Sequence, residues 1–175
     1  MSQRCVVLVG MMGAGKSEVG GELADRLGYR YLDTDKLVEK QAGKPVHQIF
    51  SEDGEQAFRE LETGAIAGLA GTQGAVIATG GGAYTNPVNR RILDALGLSV
   101  YLKASARELY ARVKNDTRRP LLKVEDPKAE MARILAEREP HYKQAEITVD
   151  TEDLSVEEVV DELIDELAKR TLGDG

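Results

Sequence analysis

The sequence predicts an α/β fold in which helices flank a parallel sheet, and three observations support this prediction. Five short apolar segments alternate with longer segments whose apolar residues recur at helical spacing, which is typical of strand–helix–strand units. A glycine-rich turn, Gly10–Ser17, joins the first predicted strand to the first predicted helix. The chain has 175 residues, of which 42% are hydrophobic and 30% charged, as expected for one globular domain.

The N-terminal half alternates between strand and helix and then enters a longer helix. Cys5–Val9 is apolar and β-branched like a buried strand, and Val19, Leu23 and Leu27 recur at helical spacing after it. Gly28 is placed to cap the end of that helix. The elements predicted in this half are the strands Cys5–Val9 and Tyr29–Leu32 and the helices Lys16–Leu27, Thr34–Ala42 and Glu55–Leu69.

The C-terminal half continues the alternation through three further strands. Ser105 with Glu108, and Ser155 with Glu158, fit the capping box, in which two free backbone N–H groups at a helix start are satisfied reciprocally. Pro140 is expected to end the helix that precedes it. The elements predicted here are the strands Ala75–Thr79, Ser99–Leu102 and Ile147–Val149 and the helices Val88–Leu96, Ala106–Lys114, Lys128–Glu139 and Val156–Lys169.

The segment Gly10–Ser17 fits the pattern G-x-x-x-x-G-K-S of a phosphate-binding loop, in the strand–loop–helix context that the pattern requires. Glycines let backbone N–H groups approach phosphate oxygens, and the helix N-terminus adds its own donors and partial positive charge. Lys16 can reach the outer phosphates, and the Ser17 hydroxyl can ligate the magnesium ion that accompanies a nucleoside triphosphate. We expect the nucleotide to contact Gly13, Ala14, Gly15, Lys16, Ser17 and Glu18.

Two carboxylates, Asp33 and Asp35, follow the second predicted strand, at the sheet edge where such folds bind ligands. Asp33 can act in magnesium binding through water. Asp35 can accept hydrogen bonds from a substrate hydroxyl and draw off its proton. Asp33 or Thr34 can also cap the next helix, and capping is compatible with a functional role.

Arginines and three successive glycines are candidate contacts for an anionic substrate. Arg59 falls near the start of a predicted helix, and arginine suits bidentate capture of a carboxylate. Taken alone, an arginine on a helix is usually a solvated surface residue. Gly80, Gly81 and Gly82 directly follow the third predicted strand, where backbone N–H groups can donate to an anion or a hydroxyl. Arg138 can hold the anion of the substrate.

The segment 115–127 is polar, contains two prolines and lies between two predicted helices. A loop of this length inside a compact domain is more often a functional lid than a passive connection. Arg119 lies in this segment and can swing over a phosphoryl group during its transfer.

Composition and charge exclude several classes of partner. The net charge of −7 argues against a general affinity for nucleic acid, whose phosphates would be repelled. No apolar run approaches the length of a membrane span, and the N-terminus has no signal-peptide pattern. We therefore expect a cytoplasmic protein whose partner is a small molecule rather than nucleic acid or a membrane. We also expect a monomer.

Six motifs occur in order along the chain: G-x-x-G-x-G-K-S, D-T-D, D-G-E-x-x-F-R-x-x-E, G-G-G-A, T-x-R-P-L-L and R-x-P-x-Y. With these motifs the chain closely resembles the shikimate kinase family, from Cys5 to about Glu166. The resemblance implies a three-layer α/β/α P-loop kinase fold with a central five-stranded parallel sheet, a mobile lid and substrate-binding helices. It also implies a single domain, 1–175, with a substrate-binding region at 33–61 and a lid at 115–127.

In this family the 3-hydroxyl of shikimate is phosphorylated by ATP and Mg²⁺, a step towards chorismate and the aromatic amino acids. The motifs place the nucleotide and metal roles on Lys16 for phosphate, Ser17 and Asp33 for magnesium, and Arg119 in the lid. They place the shikimate contacts on Asp35, Arg59, the glycine run around Gly81, and Arg138. Of these residues, Lys16, Asp35 and Arg119 are the expected catalytic groups.

Two positions depart from the family's pattern. Glu18 stands where small hydroxyl residues are common, and Thr151–Asp153 is acidic where the adenine-contacting loop is expected. We therefore expect adenine contacts mainly from the backbone.

Two other functions remain open at this point. One is a related P-loop kinase that acts on another hydroxylated carboxylate, such as gluconate. The other is a non-catalytic ATP-binding module, which should have lost Lys16, Asp35 or Arg119.

Overall fold

The computed structural model describes residues 3–173 and places a parallel sheet at the centre of this part of the chain. Its strands are β1 (Cys5–Val9), β2 (Arg30–Asp33), β3 (Ala75–Ala78), β4 (Gly97–Lys103) and β5 (Ile147–Asp150), in the spatial order β2-β3-β1-β4-β5. Val7 of the central strand lies opposite Ile77 on one side and Ser99 on the other. Every residue of β1 and β3 is buried, as expected for strands covered on both faces.

Helices follow the strands in chain order. They are α1 (Lys16–Leu27), α2 (Thr34–Ala42), α3 (Val46–Asp53), α4 (Glu55–Ala67), α5 (Pro87–Leu96), α6 (Ala106–Val113), α7 (Pro127–Tyr142) and α8 (Val156–Gly173). Short 3-10 turns at Ala83–Thr85 and Pro120–Leu122 supplement them.

The helices form two layers, one on each face of the sheet. The connection from β1 to β2 and the connection from β3 to β4 run in opposite directions across the sheet, so right-handed crossovers place α1 and α5 on opposite faces. Helix α8 packs beside α1, whereas α4 packs beside α5. The architecture is the predicted three-layer α/β/α P-loop kinase fold.

Strands β1 and β3 are neighbours in the sheet, but the connection after β1 leads to β2 and the connection after β3 leads to β4, on the opposite side. This change of direction creates the crevice where open α/β sheets bind ligands. The phosphate-binding loop leaves β1 at this crevice, and Gly80–Gly82 leaves β3 beside it. The Thr79 hydroxyl and the Thr79 N–H both donate to the Leu8 carbonyl, at 2.8 and 3.1 Å. These bonds tie the two loops together at their bases.

Helix α3 was not predicted, although its sequence contains a helix signal. Pro45 precedes it, and Val46, Ile49 and Phe50 stand at helical spacing. Ile49 is fully buried in a second core cluster with Phe58 of α4 and Val38 of α2. This cluster joins α2, α3 and α4 into one unit beside the sheet.

Pro140 does not end its helix, contrary to the prediction, because α7 continues through it to Tyr142. A proline inside a helix removes one backbone hydrogen bond and typically costs about 3 kcal/mol. The last turn is retained because Tyr142 is completely buried and its hydroxyl donates to the Gly81 carbonyl. Arg138 therefore projects from a continuous helix rather than from a helix end.

One of the two predicted capping boxes forms completely. At the start of α8, Ser155 N–H donates to Glu158 Oε2 at 2.6 Å and Glu158 N–H donates to Ser155 Oγ at 3.2 Å. At the start of α6, Ser105 Oγ still accepts from Glu108 N–H, but Ser105 N–H donates to Glu152 instead. Glu108 pairs with Arg112, so this box is only half formed.

No helix within residues 3–173 is long and apolar enough to cross a membrane.

Candidate active site

The phosphate-binding loop is held in a backbone conformation that requires glycine. Gly13 and Gly15 have φ values of 80° and 93°, in the left-handed region that other residues rarely adopt. A Cβ on Gly13 would also lie 2.8 Å from Val113 Cγ1 of α6. The loop therefore passes too close to α6 for a side chain, and Gly15 stands at the N-cap of α1.

Lys16 folds back over the loop rather than extending into solvent. Its Nζ donates to the carbonyls of Gly10 and Met11, at 2.5 and 2.9 Å. Burial lowers the pKa of Lys16 to about 7; Asp35 opposes this shift, while Arg119 and Arg138 add to it. The ammonium group is thus held at the loop by two carbonyls.

A cavity of about 660 Å³ lies over this loop. All of the residues predicted to contact nucleotide or metal line it: Gly13, Ala14, Gly15, Lys16, Ser17, Glu18, Asp33 and Arg119. It is also lined by Glu108, Arg112, Thr151, Leu154 and Val159. We call this space the larger cavity.

Asp33 caps helix α2, as the alternative interpretation allowed. Its Oδ1 accepts from the N–H groups of Asp35 and Lys36, at 2.9 and 3.2 Å. Its Oδ2 is not used by the cap, lies 3.4 Å from the Tyr31 hydroxyl and belongs to a residue of the larger cavity wall. Capping and a ligand contact are therefore compatible at Asp33.

The oxygen donors near the loop fit magnesium. Within the described residues, no three His, Cys, Asp or Glu side chains form a metal cluster. Mg²⁺ does not need such a cluster, because it keeps several waters and usually binds one or two protein oxygens together with substrate phosphates. The Ser17 hydroxyl and Asp33 Oδ2 are oxygens of this kind on the wall of the larger cavity.

A second, smaller cavity of about 140 Å³ lies beside the first and shares Met12, Asp35, Gly80, Gly81 and Arg119 with it. Its other walls include apolar side chains of α3 and α4, among them Phe50 and Phe58. The remaining charged residues that line it are Arg59, Glu62, Arg118 and Arg138. Each predicted shikimate contact lies on this wall.

Asp35 and Glu62 face each other across Gly80. A Cβ on Gly80 would lie 2.6 Å from Asp35 Oδ1 and 2.8 Å from Glu62 Oε2, and both oxygens are buried without a hydrogen-bond partner. Burial raises the pKa of each carboxyl; at Glu62, Arg59 opposes this shift, and at Asp35, Asp33 adds to it. Two unsatisfied carboxylate oxygens thus converge on one point of the cavity floor.

Arg59 and Arg138 lie against the next two glycines. A Cβ on Gly82 would lie 2.6–2.7 Å from three guanidinium atoms of Arg59, and a Cβ on Gly81 would lie 3.2 Å from Arg138 Nη1. Arg59 is held by Glu62 at 3.1 Å and by Glu55 at 3.2 Å. We call Gly80–Gly82 the glycine floor, because each of its residues makes room for a charged group.

The sequence suggested that the backbone N–H of Gly80 donates to a ligand, but the structure uses this group in another way. The Gly80 N–H donates to the Thr34 hydroxyl at 2.9 Å, so it is already used within the protein. No residue of the floor has a positive φ value. The glycines are therefore needed for the space above the backbone rather than for backbone conformation.

Arg119 lines both cavities, at the place where they meet. It belongs to the predicted lid, and its Nε lies 3.1 Å from Asp116 Oδ2. Arg118, its neighbour, is far more exposed, with 75% of its side chain accessible against 39% for Arg119. Arg118 lines only the smaller cavity.

Two residues of the cavity walls were missed as functional candidates. Glu62 is the last residue of the motif F-R-x-x-E, where its spacing from Arg59 predicts an i,i+3 contact on a helix. Arg112 donates from Nη1 to the Gly13 carbonyl at 3.1 Å and so links α6 to the phosphate-binding loop. The sequence of α6 contains no signal for Arg112, because this contact spans 99 positions.

The predicted acidic loop contributes less charge to the larger cavity than its sequence suggests. Thr151 lines the cavity, but its hydroxyl donates to the Lys103 carbonyl at 3.0 Å. Glu152 turns to Ser105, accepting from the N–H and the hydroxyl of that residue at 3.1 and 2.8 Å. The Glu152 carboxylate is therefore used within the protein.

Comparison with known proteins adds independent information. A family model described as shikimate kinase matches residues 12–168. The shikimate kinase of Geobacter sulfurreducens is 49% identical over 160 residues, which cover 91% of this chain and 88% of that protein. The shikimate kinase of Nitrobacter winogradskyi is 45% identical over 170 residues, covering 97% of this chain and 79% of that protein.

Solved structures agree with the sequence relatives. A structure described as shikimate kinase from Acinetobacter baumannii in complex with shikimate has a TM-score of 0.93 and 35% identity, covering 97% of this chain and 96% of that one. Deoxyadenosine kinase from M. mycoides, at 17% identity, a TM-score of 0.64 and coverage of 94% and 99%, shares the fold alone. The family model and the close relatives together show that this chain belongs to the shikimate kinase family.

Proposed function

We propose that this protein transfers the γ-phosphoryl group of ATP to the 3-hydroxyl of shikimate, which gives shikimate 3-phosphate and ADP. The observation that carries the proposal is the pair of cavities that meet at Asp35, the glycine floor and Arg119. One cavity lies over a phosphate-binding loop, and the other presents Arg59, Arg138 and Asp35, among other charged groups, to a small acid. Membership of the shikimate kinase family supports this substrate pair.

The larger cavity would hold ATP with its phosphates on Gly13–Ser17, where backbone N–H groups and the start of α1 favour anions. The base would then lie beside Arg112 and Leu154. Phosphate oxygens would replace the two carbonyls as partners of Lys16 Nζ. Because these oxygens are negatively charged, they would favour the protonated form of Lys16. Ser17 and Asp33 would hold Mg²⁺, which neutralises charge on the phosphate oxygens when bound.

The smaller cavity suits shikimate, which has one carboxylate and three hydroxyls. Arg59 and Arg138 would share the carboxylate, since guanidinium groups bind carboxylates through paired hydrogen bonds. Asp35 Oδ1 is buried and unpartnered, and it would accept the proton of the attacking hydroxyl. The raised pKa of Asp35 suits this role, because a stronger base takes the proton more readily.

Arg119 would neutralise the charge that develops on the γ-phosphoryl oxygens during transfer. Its place between the cavities supports this role. We propose that 115–127 closes over ATP and shikimate as a lid, which would exclude water and limit wasteful hydrolysis. The lid and the substrate-binding region 33–61 would act within one domain, 1–175, of a monomeric cytoplasmic enzyme.

A coupled assay for ADP release tests the function directly. The purified protein is incubated with ATP and Mg²⁺ alone, with shikimate or with gluconate. We expect rapid ADP release with shikimate and little with gluconate or without an acceptor. Equal release with all three would contradict the proposal, faster release with gluconate would support the related sugar-acid kinase, and no release would support a non-catalytic module.

A further inference from the structure

Asp116 is the centre of a charged cluster in the lid that the proposed mechanism does not use. Its backbone N–H donates to the carbonyl of Val113, the last residue of α6, at 2.9 Å. Its Oδ1 accepts from the backbone N–H and the Nε of Arg118, at 3.0 and 3.1 Å. Only 22% of its side chain is exposed. The carboxylate is therefore fixed relative to α6.

The other carboxylate oxygen of Asp116 faces the lid arginine. Arg119 Nε lies 3.1 Å from Asp116 Oδ2, close enough for an ion pair although not aligned for a hydrogen bond. The contact is made through Nε, so it leaves both terminal amino groups of Arg119 for other partners. Asp116 can thus hold this guanidinium without competing for the groups that would bind phosphate.

The charge of Asp116 is maintained by its surroundings. The hydrogen bond from the Arg118 backbone, followed by the side chains of Arg118 and Arg119, keeps the pKa of Asp116 below its ordinary value. A long arginine side chain loses rotamer freedom when it is fixed, and a partner that restricts it beforehand reduces that cost at the moment of reaction.

We propose that Asp116 is the positioning residue of Arg119, orienting its guanidinium towards the junction of the two cavities so that it can stabilise the transferring phosphoryl group. The inference rests on the proposed function, because Arg119 is assigned to that group there. Asp116 itself lines neither cavity.

A double-mutant cycle between Asp116→Asn and Arg119→Ala tests the inference. Asparagine keeps the Oδ1 acceptor for the Arg118 backbone and removes only the charge. Since contacting residues couple strongly, we expect Asp116→Asn to lower kcat by about tenfold with an unchanged KM for shikimate. In the Arg119→Ala background it should have no further effect. Glu125→Gln, which removes one exposed carboxylate from the same segment, is the matched control and should leave kcat unchanged.

Two results would overturn the inference. A loss of kcat that persists in the Arg119→Ala background would mean that Asp116 only supports the fold of the lid. A rise in kcat, or tighter ATP binding, would mean that the carboxylate restrains Arg119 instead of orienting it. If the parent protein does not phosphorylate shikimate, the proposed function fails. The same cycle measured on the Kd of ATP with Mg²⁺ then decides whether Asp116 acts through Arg119.

Discussion

The phosphate-binding loop and the smaller cavity are built to hold anions in different ways. In the loop, the glycine turn, Lys16 and the start of α1 come from one continuous segment, 10–17. In the smaller cavity, the charged groups that lie against Gly80–Gly82 come from α2, α4 and α7 and meet only because these glycines leave them room. The first site depends on local backbone conformation, and the second depends on packing between distant elements.

This difference has consequences for mutation. A change in the phosphate-binding loop should affect the binding of ATP and not that of shikimate, because this one segment supplies the main hydrogen-bond donors to the phosphates. A change in the glycine floor should act on shikimate through an arginine on another helix. Substitutions at both sites test this contrast, and the first concerns Asp35, which belongs to both.

The largest effect is expected at Asp35, which lines both cavities. Asp35→Asn keeps the shape of the side chain and removes its capacity to accept a proton. General-base assistance typically contributes about 100- to 10,000-fold, so kcat should fall by a factor in that range. Steady-state kinetics and circular dichroism would be measured together, with exposed Asp25→Asn as control. A kcat within a few-fold of the parent would assign Asp35 to structure alone.

The next largest effect is expected at Lys16. Lys16→Met keeps the length of the side chain without the charge at the phosphates. Removing one preorganised electrostatic donor typically lowers kcat by roughly 100- to 1,000-fold. The KM for shikimate should change little, because Lys16 lines only the larger cavity. Normal turnover in the folded variant would rule out the role of this loop, and exposed Lys40→Met is the control.

The arginines of the smaller cavity should give the converse result. Arg59→Ala and Arg138→Ala each remove charge-assisted hydrogen bonds, which contribute about 1.5–3 kcal/mol, or roughly 10- to 100-fold in kcat/KM for shikimate. The KM for ATP should stay near the parent value. Variants that weaken ATP binding and spare shikimate would reverse the assignment of the two cavities.

Substitutions in the glycine floor should weaken shikimate binding by displacing the same arginines. Gly82→Ala places a Cβ within 2.7 Å of the Arg59 guanidinium, which must move, whereas Gly81→Ala meets Arg138 at 3.2 Å and needs only a small shift. We expect the KM for shikimate to rise several-fold in Gly82→Ala and less in Gly81→Ala. Gly21→Ala, in open space on α1, is the control. Equal effects at Gly81 and Gly82 would mean that the arginines do not depend on the floor.

The smallest effect concerns stability at Glu62. Burial raises its pKa above the ordinary 4.5, so the folded protein retains a proton that the unfolded chain releases, and stability falls as pH rises from about 4.5 through the folded pKa. Glu62→Gln removes this penalty. The difference in Tm between the variant and the parent should therefore be more positive at pH 8 than at pH 5. A difference that grows towards acid pH would contradict the direction of this shift.

The local parts of this molecule could be predicted from its sequence, and the contacts between distant parts could not. The fold and the phosphate-binding loop follow from patterns within short segments. The Arg112 contact to Gly13 and the Glu152 contact to Ser105 join residues 99 and 47 positions apart, and no local pattern indicates them. Pro140 shows the same limit, because burial of Tyr142 outweighs a local signal for helix termination.

The crowded glycine floor has a consequence for inhibitors and the resistance that they select. A compound that contacts the backbone of Gly80–Gly82 would press on positions where any side chain displaces Asp35, Arg59 or Arg138. A substitution there would lower the activity of the enzyme as well as its affinity for the inhibitor. Escape variants would instead arise among the apolar walls around Phe50 and Val46, where a change of shape need not disturb a charged group.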